Sequence, residues 1–474
     1  MSADDASFTP EEQALRARIE HELTLLEYPK RAWLTPRTTH SGEPILDVAI
    51  VGAGQGGLAA AFGLMRERVS NLLILDQNPL DQAGPWLSFA RMHTLRTPKH
   101  VSGPDLGVPS LTPRAYYEAT HGEGSWERLG LIPRETWAAY LRFYRRVLGL
   151  PVQPSTRVGA LRWQPELRAF ALPCTHGGVT VLRHARRVVL ATGIEGSGAW
   201  DIPALVREQL PRERYAHTSE PIDFAALAGK RVAVLGAGAS AFDNASLALE
   251  HGASAVHLFF RRERLVQVNP YRWAEFVGFL RHHADLPDAD KYRFIGQLLR
   301  MGQLPPTDTY ARATSHANFH LHPGSRWQRL TLNGDQIVLQ DVLGRFELDF
   351  VIVGTGFVTD LARRPELTEL EPHIARWQDR YQAPAALRNP ELDRHPYLGP
   401  GFEFCARMPG SAPELSYVFN YTFGGLLSLG FGGASISGMK YSIPRLVGGV
   451  TASLYREDVD QYFDSLCAYD EREF

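Results

Sequence analysis

The chain has 474 residues, of which 44% are hydrophobic and 22% charged, and its formal net charge is -2. This length allows two or three domains with buried cores, and the near-neutral charge does not favour nucleic acid or an anionic membrane as a partner. The three cysteines, Cys174, Cys405 and Cys467, are too few and too widely spaced for a disulfide framework or a zinc cluster, which favours a reducing cytoplasm.

The first 44 residues precede the first predicted strand and form an N-terminal arm. Thr9, Pro10 and Glu12 match a capping box with proline at the first helical position, so a helix should run from there to about Leu26. The polar start lacks the pattern of a signal peptide, and no apolar run reaches the length of a membrane span. We therefore predict a cytoplasmic protein without membrane or nucleic-acid partners, and the sequence leaves open whether it forms a homo-oligomer.

Residues 45–51 form an apolar run that predicts a buried parallel strand. The glycines that follow, Gly52, Gly54 and Gly57, have the spacing of a dinucleotide fingerprint. Gly52 allows a tight turn, Gly54 lets the backbone approach a pyrophosphate, and Gly57 lets the next helix pack close to the sheet. That helix, over residues 58–66, directs its first N–H groups at the phosphates.

A second apolar run, residues 72–75, ends at Asp76 and Gln77. A carboxylate at the carboxyl end of such a strand accepts hydrogen bonds from ribose hydroxyls. Since strand, glycines, helix and acid follow in the order that the fold requires, the segment is predicted to bind a dinucleotide. The alternative is a tight strand–helix turn without a ligand.

Residues 231–235 followed by Gly236 and Gly238 repeat this pattern. The next predicted strand, residues 255–260, ends in Arg261 and Arg262 instead of in an acid. Arginines suit the 2′-phosphate of NADPH, whereas an acid suits the free hydroxyl of NADH. We predict NADPH at this second site, and the alternative is that the two arginines are a solvated surface pair.

Two further buried strands end in Thr-Gly turns, at Thr192-Gly193 and Thr355-Gly356. Two nucleotide sites in one chain indicate electron transfer between two cofactors, and their order is typical of FAD first and nicotinamide second. The predicted fold class is α/β with two Rossmann-like dinucleotide-binding domains. The predicted boundaries are an N-terminal helical arm at 1–44, an FAD-binding domain at 45–205 and 346–474, and an inserted NADPH-binding domain at 206–345 with a helical insertion at 268–320.

The paired fingerprints, the two Thr-Gly turns, Gly84-Pro85-Trp86 and Thr97-Pro98-Lys99 together resemble those of the class B flavoprotein monooxygenases. This superfamily includes flavin-containing monooxygenases, Baeyer–Villiger monooxygenases, and lysine and ornithine N-hydroxylases, and the resemblance covers most of residues 45–460. It implies that NADPH reduces FAD, that O₂ adds at the flavin C4a, and that the peroxide transfers one oxygen atom to a small-molecule substrate at nitrogen or sulfur.

The resemblance also implies roles for individual residues. Asp76 would hold the FAD ribose, Trp86 and Arg91 would lie along the flavin, and the backbone of Val158 would contact the adenine. The predicted cofactor ligands are Gly52, Gly54, Gly57, Asp76, Gln77, Trp86, Arg91, Val158, Thr192, Gly193, Gly236, Gly238, Ser240, Arg261, Arg262, Gly356 and Gly438. The predicted catalytic residues are Arg96, Thr97, Lys99 and Asn269.

Two departures from the family pattern concern the chemistry. Of the linker signature of these families only His217 is present, while Pro211, Glu213 and Pro221 replace its other positions, which argues against a standard Baeyer–Villiger enzyme. Flavin-containing monooxygenases place an asparagine three residues before the lysine, where this chain has Arg96. An arginine there would stabilise a peroxyanion, and the alternative is that Arg96 pairs with a structural carboxylate.

Three other segments have patterns that bear on function. His320 and His322 share one face of a predicted strand, but two histidines without a third ligand favour hydrogen bonding over a metal site. Residues 268–320 are rich in aromatic side chains and would form either a substrate lid or a packing element. The glycine-rich stretch 424–440 leads into a predicted helix over 441–455, whose N-terminus suits the anionic edge of a reduced flavin.

The sequence therefore predicts a monooxygenase that uses FAD, NADPH and O₂. An NADPH-dependent flavin reductase that passes electrons to a partner is the second enzymatic reading. A flavin-binding redox sensor without turnover is the alternative from a different class. The absence of any close cysteine pair excludes a dithiol disulfide reductase.

Overall fold

This computed structural model describes residues 8–101 and 103–474, so the first seven residues of the predicted arm, with much of the polar start, lie outside it. Over the described range the chain forms sheets of nine, five and three strands and a two-stranded ribbon. The helices are Pro10–Leu25, Gln55–Arg66, Pro113–His121, Ser125–Arg128, Arg134–Val147, Ala204–Gln209, Ala239–Glu250, Pro270–Ala274, Val277–His282, Asp288–Met301, Thr307–Thr314, Trp377–Arg380, Pro390–Asp393, Leu426–Leu429, Met439–Glu457 and Val459–Cys467.

The first sheet is built around the strand Pro44–Val51, which lies between parallel neighbours Leu72–Leu75 and Val179–Leu190. Its residues from Val48 onward are buried on both faces, as the continuous apolar run predicts. A C-terminal strand joins the same sheet beside Val179–Leu190. The sheet contains Arg37–Thr38, Pro44–Val51, Leu72–Leu75, Val152–Gln153, Thr156–Val158, Arg162–Gln164, Ala169–His176, Val179–Leu190 and Val418–Asn420.

Residues 179–190 extend well to the N-terminal side of the apolar run that precedes the Thr192-Gly193 turn. They form one long strand that pairs antiparallel with Ala169–His176 and then parallel with Pro44–Val51. The polar residues between the two apolar runs stay in the strand because Arg186 and Arg187 are satisfied by buried carboxylates. Charge pairing here maintains a strand that local hydrophobicity does not indicate.

The second sheet is parallel throughout, with the helix Ala239–Glu250 packed on it. Its strands, in spatial order, are Tyr215–His217, Phe350–Val353, Arg231–Leu235, Ala255–Phe260 and Phe319–Pro323. The strand Phe350–Val353 lies between two strands of this sheet, so the second domain extends beyond the predicted boundary at residue 345. A small antiparallel sheet, Trp327–Asn333, Gln336–Asp341 and Gly344–Leu348, precedes that strand.

The helical insertion leaves the second sheet after Ala255–Phe260 and returns to it at Phe319–Pro323. Its apolar side chains pack against the C-terminal part of the chain instead of only against their own domain. Phe279 lies 5.9 Å from Phe431 between ring centroids, and both belong to a cluster that includes Trp377 and Leu427. The insertion therefore connects the two predicted dinucleotide-binding units, one built on the nine-stranded sheet and the other on the five-stranded sheet.

A short ribbon marks the place where the chain crosses between the sheets. Gly198–Trp200 pairs antiparallel with Phe357–Thr359. Within the part of the chain that the structure describes, no helix has both the length and the apolar character needed to cross a lipid bilayer.

Candidate cofactor and active site

The first glycine turn has the close approaches that the fingerprint predicts. Gly52 has a φ of 110°, and a Cβ there would overlap the carbonyl oxygen of Ala191. A Cβ at Gly57 would overlap the carbonyl oxygen of Gly52. Gly54 differs, because a Cβ there would approach only the Cα of Gly84, at 3.9 Å. The turn therefore requires glycine at two positions for its own packing, and the third leaves open space for a ligand.

Asp76 lies directly after the strand Leu72–Leu75 and is buried. Its Oδ2 accepts a hydrogen bond from the amide of Ala53 at 2.7 Å, and its Oδ1 accepts one from Asn78 at 2.8 Å. Burial raises the pKa of Asp76, and these two backbone donors oppose that effect. Since each carboxylate oxygen can accept a second hydrogen bond, Asp76 fixes the glycine turn and retains acceptors for a ribose. Gln77, beside it, is exposed.

The backbone of Val158 is oriented for a ligand contact. The strand Thr156–Val158 pairs antiparallel with Ala169–His176, and the amide of Gly159 donates to Pro173 at 2.8 Å. Because bonded and non-bonded pairs alternate, the N–H and C=O of Val158 point away from that partner strand. They point to the same side as the amide of Thr156, which donates to the carbonyl of Asp76 at 2.7 Å.

Two buried polar atoms near the first glycine turn have no hydrogen-bond partner. They are Oγ1 of Thr192 and Nε1 of Trp86. Trp86 packs edge-to-face on Trp137, and its ring lies about 3.5 Å from where a Cβ of Gly84 would stand. Most buried polar atoms in folded proteins have a hydrogen-bond partner, so these two atoms are suited to contact a bound group. The predicted FAD site therefore offers polar partners for a bound group.

The C-terminal part of the chain completes this cradle. A Cβ at Gly433 would lie 2.6 Å from the amide nitrogen of Thr422, and a Cβ at Gly196 would lie 2.6 Å from the Thr422 side chain. Sequence reasoning missed Thr422 and also Tyr421, whose ring would lie 3.0 Å from a Cβ at Gly56, because no local motif marks them. A parallel strand followed by a small-residue turn, as at Val418–Asn420, was the only available signal.

Gly438 precedes the helix Met439–Glu457, which begins two residues earlier than predicted. A Cβ at Gly438 would overlap the carbonyl oxygen of Phe431, so the helix N-terminus is held against the glycine-rich loop. This helix also packs on the first fingerprint helix, where a Cβ at Gly63 would lie 2.6 Å from Val447. The predicted helix N-terminus therefore belongs to the same unit as the first glycine turn.

The second glycine turn repeats the geometry of the first. Gly236 has a φ of 123°, and a Cβ there would overlap the carbonyl oxygen of Gly354. Gly238 has open space around it, and Ser240 is exposed in the first turn of the helix Ala239–Glu250. Gly356, with a φ of 82°, lies after the strand Phe350–Val353 beside this turn.

Arg261 and Arg262 have different surroundings, although they are neighbours in sequence. Arg261 is exposed directly after the strand Ala255–Phe260. Arg262 donates to the carbonyls of Met301 and Arg300, both at 3.1 Å. These carbonyls end the helix Asp288–Met301, and a cation there is favoured by the helix dipole. These contacts use part of the donor capacity of Arg262, so its role at a phosphate stays a prediction.

Two predicted flavin-site arginines make contacts between the domains. Arg91 donates to the carbonyl of Thr218 and, at 2.6 Å, to that of Glu220. Burial lowers the pKa of Arg91 to about 10. Arg96 donates to Oδ2 of Asp243 at 2.7 Å, so the alternative of a structural carboxylate partner is the observed one. The guanidinium of Arg91, predicted to lie along the flavin, is occupied by backbone carbonyls of the interdomain linker.

The other predicted catalytic residues make local contacts. The ammonium of Lys99 donates to the carbonyls of Trp126 and Leu129, the latter at 2.7 Å, which is a packing role. Asn269 caps the helix Pro270–Ala274 by accepting from the amide of Tyr271 at 3.1 Å. Thr97 is half-buried in its loop. The contacts of Lys99 and Asn269 hold a loop and a helix end.

His217 lies where the linker enters the second sheet. Its Nδ1 is 2.7 Å from Oγ of Ser219, its ring packs on Trp200 at 5.3 Å, and its buried Nε2 has no partner. Burial lowers the pKa of His217, which favours the neutral imidazole. This histidine belongs to an aromatic group at the crossing ribbon that also contains Phe357 and Phe423.

The predicted histidine pair has a third member that sequence reasoning missed. Nδ1 of His257 lies 2.9 Å from Nε2 of His322, and the His320 ring stacks on His257 at 4.8 Å. A neighbouring parallel strand supplies His257. Among residues 8–101 and 103–474, no group of histidine, cysteine and carboxylate side chains has an arrangement that could hold a metal ion.

The model of the pyridine nucleotide-disulphide oxidoreductase family matches residues 46–282. The FAD-dependent urate hydroxylase of Xanthomonas campestris pv. campestris is 45% identical over 460 residues, which cover 97% of this chain and 96% of that protein. The chain belongs to the pyridine nucleotide-disulphide oxidoreductase family.

Solved structures agree with the fold. The ornithine N-hydroxylase KtzI of Kutzneria sp. 744, with reduced FAD, NADP⁺ and L-ornithine, has a TM-score of 0.66 at 16% identity and covers 88% of this chain and 100% of its own. The reduced ornithine hydroxylase PvdA of Pseudomonas aeruginosa has a TM-score of 0.67 at 16% identity, covering 87% and 99%. The predicted two-domain α/β fold is confirmed, and in this fold the chain resembles these N-hydroxylases.

The family name refers to disulphide chemistry, but this chain's cysteines do not fit it. Cys174, Cys405 and Cys467 are unpaired, and burial raises the pKa of Cys405 to about 11. A thiol with such a pKa is protonated at neutral pH and is a poor redox nucleophile. The relative that matches nearly the whole chain is a hydroxylase, which agrees with the predicted oxidoreductase of the monooxygenase type.

Proposed function

We propose that this protein is an FAD- and NADPH-dependent monooxygenase that hydroxylates urate. The observation that carries the proposal is the 45% identity to the FAD-dependent urate hydroxylase over nearly the whole of both chains. The reaction would convert urate, O₂, NADPH and a proton into a hydroxylated purine, NADP⁺ and water. We further propose a cytoplasmic location, which the three unpaired cysteines support.

This substrate replaces the expected oxidation at nitrogen or sulfur with oxidation at carbon. The double bond shared by the two rings of urate carries several nitrogen donors and is therefore electron-rich. Such a carbon reacts with an electrophilic oxygen, as nitrogen and sulfur nucleophiles do. The flavin, when bound, supplies this chemistry by accepting a hydride from NADPH and activating O₂ for transfer of one oxygen atom.

The first glycine turn has the features needed to hold FAD. Gly54 leaves open space at the predicted pyrophosphate position, and Asp76 keeps acceptor capacity beside it. The partnerless Oγ1 of Thr192 and Nε1 of Trp86 would gain hydrogen bonds from a bound group. The outward-facing backbone of Val158 would serve the adenine. Together these features support the assignment of this cradle to FAD.

The second glycine turn has the features needed to hold NADPH. The open space at Gly238 and the helix Ala239–Glu250 would receive the pyrophosphate, with Ser240 in the first turn. Arg261, exposed after the neighbouring strand, would bind the 2′-phosphate. Arg262 is left out of this site because it holds the end of another helix.

The helical insertion would help to keep water out of the site. Tyr271 and Phe279 pack on Phe431 with ring-centroid distances of 5.7 and 5.9 Å. Phe431 belongs to the glycine-rich loop, and its carbonyl lies against Gly438 at the start of the C-terminal helix. An apolar cover at this point would keep water away from a bound flavin while it reacts with O₂.

The test uses the purified, FAD-loaded protein with NADPH under air. We expect urate to stimulate NADPH oxidation, with equal amounts of NADPH, O₂ and urate consumed and little hydrogen peroxide. Isotopically labelled O₂ should place one labelled atom in the product. Xanthine is the matched control, because it is a purine of similar shape that lacks the carbonyl oxygen of urate at C8.

Two results would contradict the proposal. NADPH oxidation that requires an added acceptor protein and leaves urate unchanged would favour the reductase reading. Oxidation that urate stimulates but that yields only hydrogen peroxide would show that urate is an effector and not the substrate.

A further inference from the structure

One buried carboxylate joins three parts of the molecule. Asp243 lies on the helix Ala239–Glu250 and is 1% exposed. Its Oδ2 accepts from Nη2 of Arg96 at 2.7 Å, and its Oδ1 accepts from Oγ1 of Thr309 at 3.1 Å. Nη1 of Arg312 lies 4.0 Å from the same oxygen. Arg96 comes from the first dinucleotide-binding unit, and the other two residues come from the helical insertion.

A second contact joins the same segment to the second unit. Arg91, five residues before Arg96, donates to the carbonyls of Thr218 and Glu220 in the linker. The carboxylate of Asp243 also acts on Arg91 electrostatically, since it opposes the fall in the pKa of that guanidinium. The loop of residues 91–96 is therefore held to the second unit at both ends. Asp243 is the negative charge that Arg91 and Arg96 share.

We propose that Asp243 is a positioning residue that holds the second dinucleotide-binding unit against the first during hydride transfer. This inference rests on the proposed function, because it assumes that NADPH binds at Gly238 and FAD at Gly54. Gly238 begins the helix that carries Asp243, so the carboxylate is fixed about one turn from the predicted pyrophosphate site. Its contact with Arg96 fixes that helix relative to the predicted flavin loop.

The contact between Arg96 and Asp243 is important because hydride transfer requires precise placement of the two cofactors. Hydride transfer needs the donor and acceptor carbon and nitrogen atoms within roughly 3–3.5 Å, and a displacement of about 1 Å costs on the order of a hundredfold in rate. A buried charge that loses its partner moves towards water. Without the Asp243 carboxylate, Arg96, whose side chain is 25% exposed, can turn outward and release the loop.

The experiment measures the reductive half-reaction of the Asp243→Asn variant, loaded with FAD, under anaerobic conditions. We expect normal FAD content and an unchanged half-saturating NADPH concentration, but at least a tenfold lower limiting rate of flavin reduction. Reduction by dithionite should proceed as in the unaltered protein. Arg96→Gln should show the same defect, and the double variant should be no slower than either single one, because both changes remove one contact.

A second readout does not depend on turnover. In hydrogen–deuterium exchange of Asp243→Asn, peptides covering 91–101 and 215–224 should exchange faster, while peptides of the strand Pro44–Val51 should be unchanged. Glu250→Gln is the matched control, since Glu250 is on the same helix and pairs with Arg312 at 3.0 Å without touching Arg96. This control should leave both the reduction rate and the exchange pattern unaltered.

A limiting reduction rate in Asp243→Asn equal to that of the unaltered protein would overturn the inference, whatever the exchange pattern shows. Additive losses in the double variant would overturn it too, because they would show that Arg96 and Asp243 act separately. Since none of these measurements contains urate, failure of urate hydroxylation in the unaltered protein would count against the proposed substrate alone.

Discussion

Arg261 provides a test of cofactor choice at the scale of one residue. It is exposed at the predicted 2′-phosphate position, so Arg261→Ala should raise the KM for NADPH and leave the KM for NADH nearly unchanged. Loss of one charge-assisted phosphate contact costs about 1.5–3 kcal/mol, or roughly ten- to a hundredfold. Steady-state kinetics with both nucleotides measures the difference. Arg262→Ala is the matched control and should keep the preference for NADPH, since Arg262 holds the carbonyls of Arg300 and Met301.

Equal losses with both nucleotides in Arg261→Ala would show that the arginine has no role in selecting the phosphate.

At the scale of single residues, the sequence predicted the glycines of the site better than its long cationic side chains. Glycines were predictable because only glycine fits where a Cβ would meet backbone, as at Gly52 and Gly57. Long cationic side chains were not, because Arg262, Lys99 and Arg91 reach carbonyls that are distant in sequence.

Gly54 provides a test at the scale of the glycine turn. Its backbone φ of -69° suits any residue, and a Cβ would meet only the Cα of Gly84, at 3.9 Å. Gly54→Val should therefore fold but lose FAD, because the branched side chain would occupy the predicted pyrophosphate position. Flavin absorbance per protein and thermal unfolding of the purified variant separate the two properties. Gly130→Val, in an exposed loop with open space, is the matched control and should keep both.

A Gly54→Val protein that retains stoichiometric FAD would show that the first turn does not hold the cofactor. At the scale of elements, continuous apolar runs predicted the strands around both turns, and the capping box predicted the helix Pro10–Leu25. These patterns did not predict that residues 179–190 form one strand or that Phe350–Val353 joins the second sheet. Both depend on pairing between segments far apart in the chain, which local pattern does not contain.

At the scale of the whole molecule, the insertion was the least predictable part. Its aromatic content indicated burial, but the surface that it covers includes Trp377, Leu427 and Phe431, more than a hundred residues later in the chain than its first helix. The long-range charge pairs are likewise absent from any local pattern. Arg96–Asp243 links the two dinucleotide-binding units, and a network around Glu457 links the C-terminal helix to the first sheet.

The Glu457 network supports a prediction about the stability of the first domain. The Glu457 side chain is 1% exposed and pairs with Arg186 at 3.1 Å and Arg187 at 2.9 Å, while Arg37 approaches from the N-terminal arm at 3.1 Å. Arg187 has no other carboxylate within ion-pair distance in the described chain. Glu457→Gln should therefore destabilise the protein by about 3–5 kcal/mol, because it leaves a buried guanidinium unpaired.

Acid should remove the same stabilisation from the unaltered protein. Burial tends to raise the pKa of Glu457, but Arg187, Arg186 and Arg37 together outweigh it, so the pKa lies below the ordinary glutamate value of 4.5. A carboxylate whose pKa is lower in the folded state contributes its full stability above its unfolded pKa and loses it as the pH falls through the folded one. Thermal unfolding should therefore show a large difference between Glu457→Gln and the unaltered protein at pH 7, which shrinks under acid conditions.

The matched control is Glu369→Gln, which removes an exposed pair with Arg162 and should cost no more than about 1 kcal/mol. Equal effects of the two substitutions would show that burial adds nothing to the Glu457 network, and a difference that persists at low pH would show that its charge is not the cause.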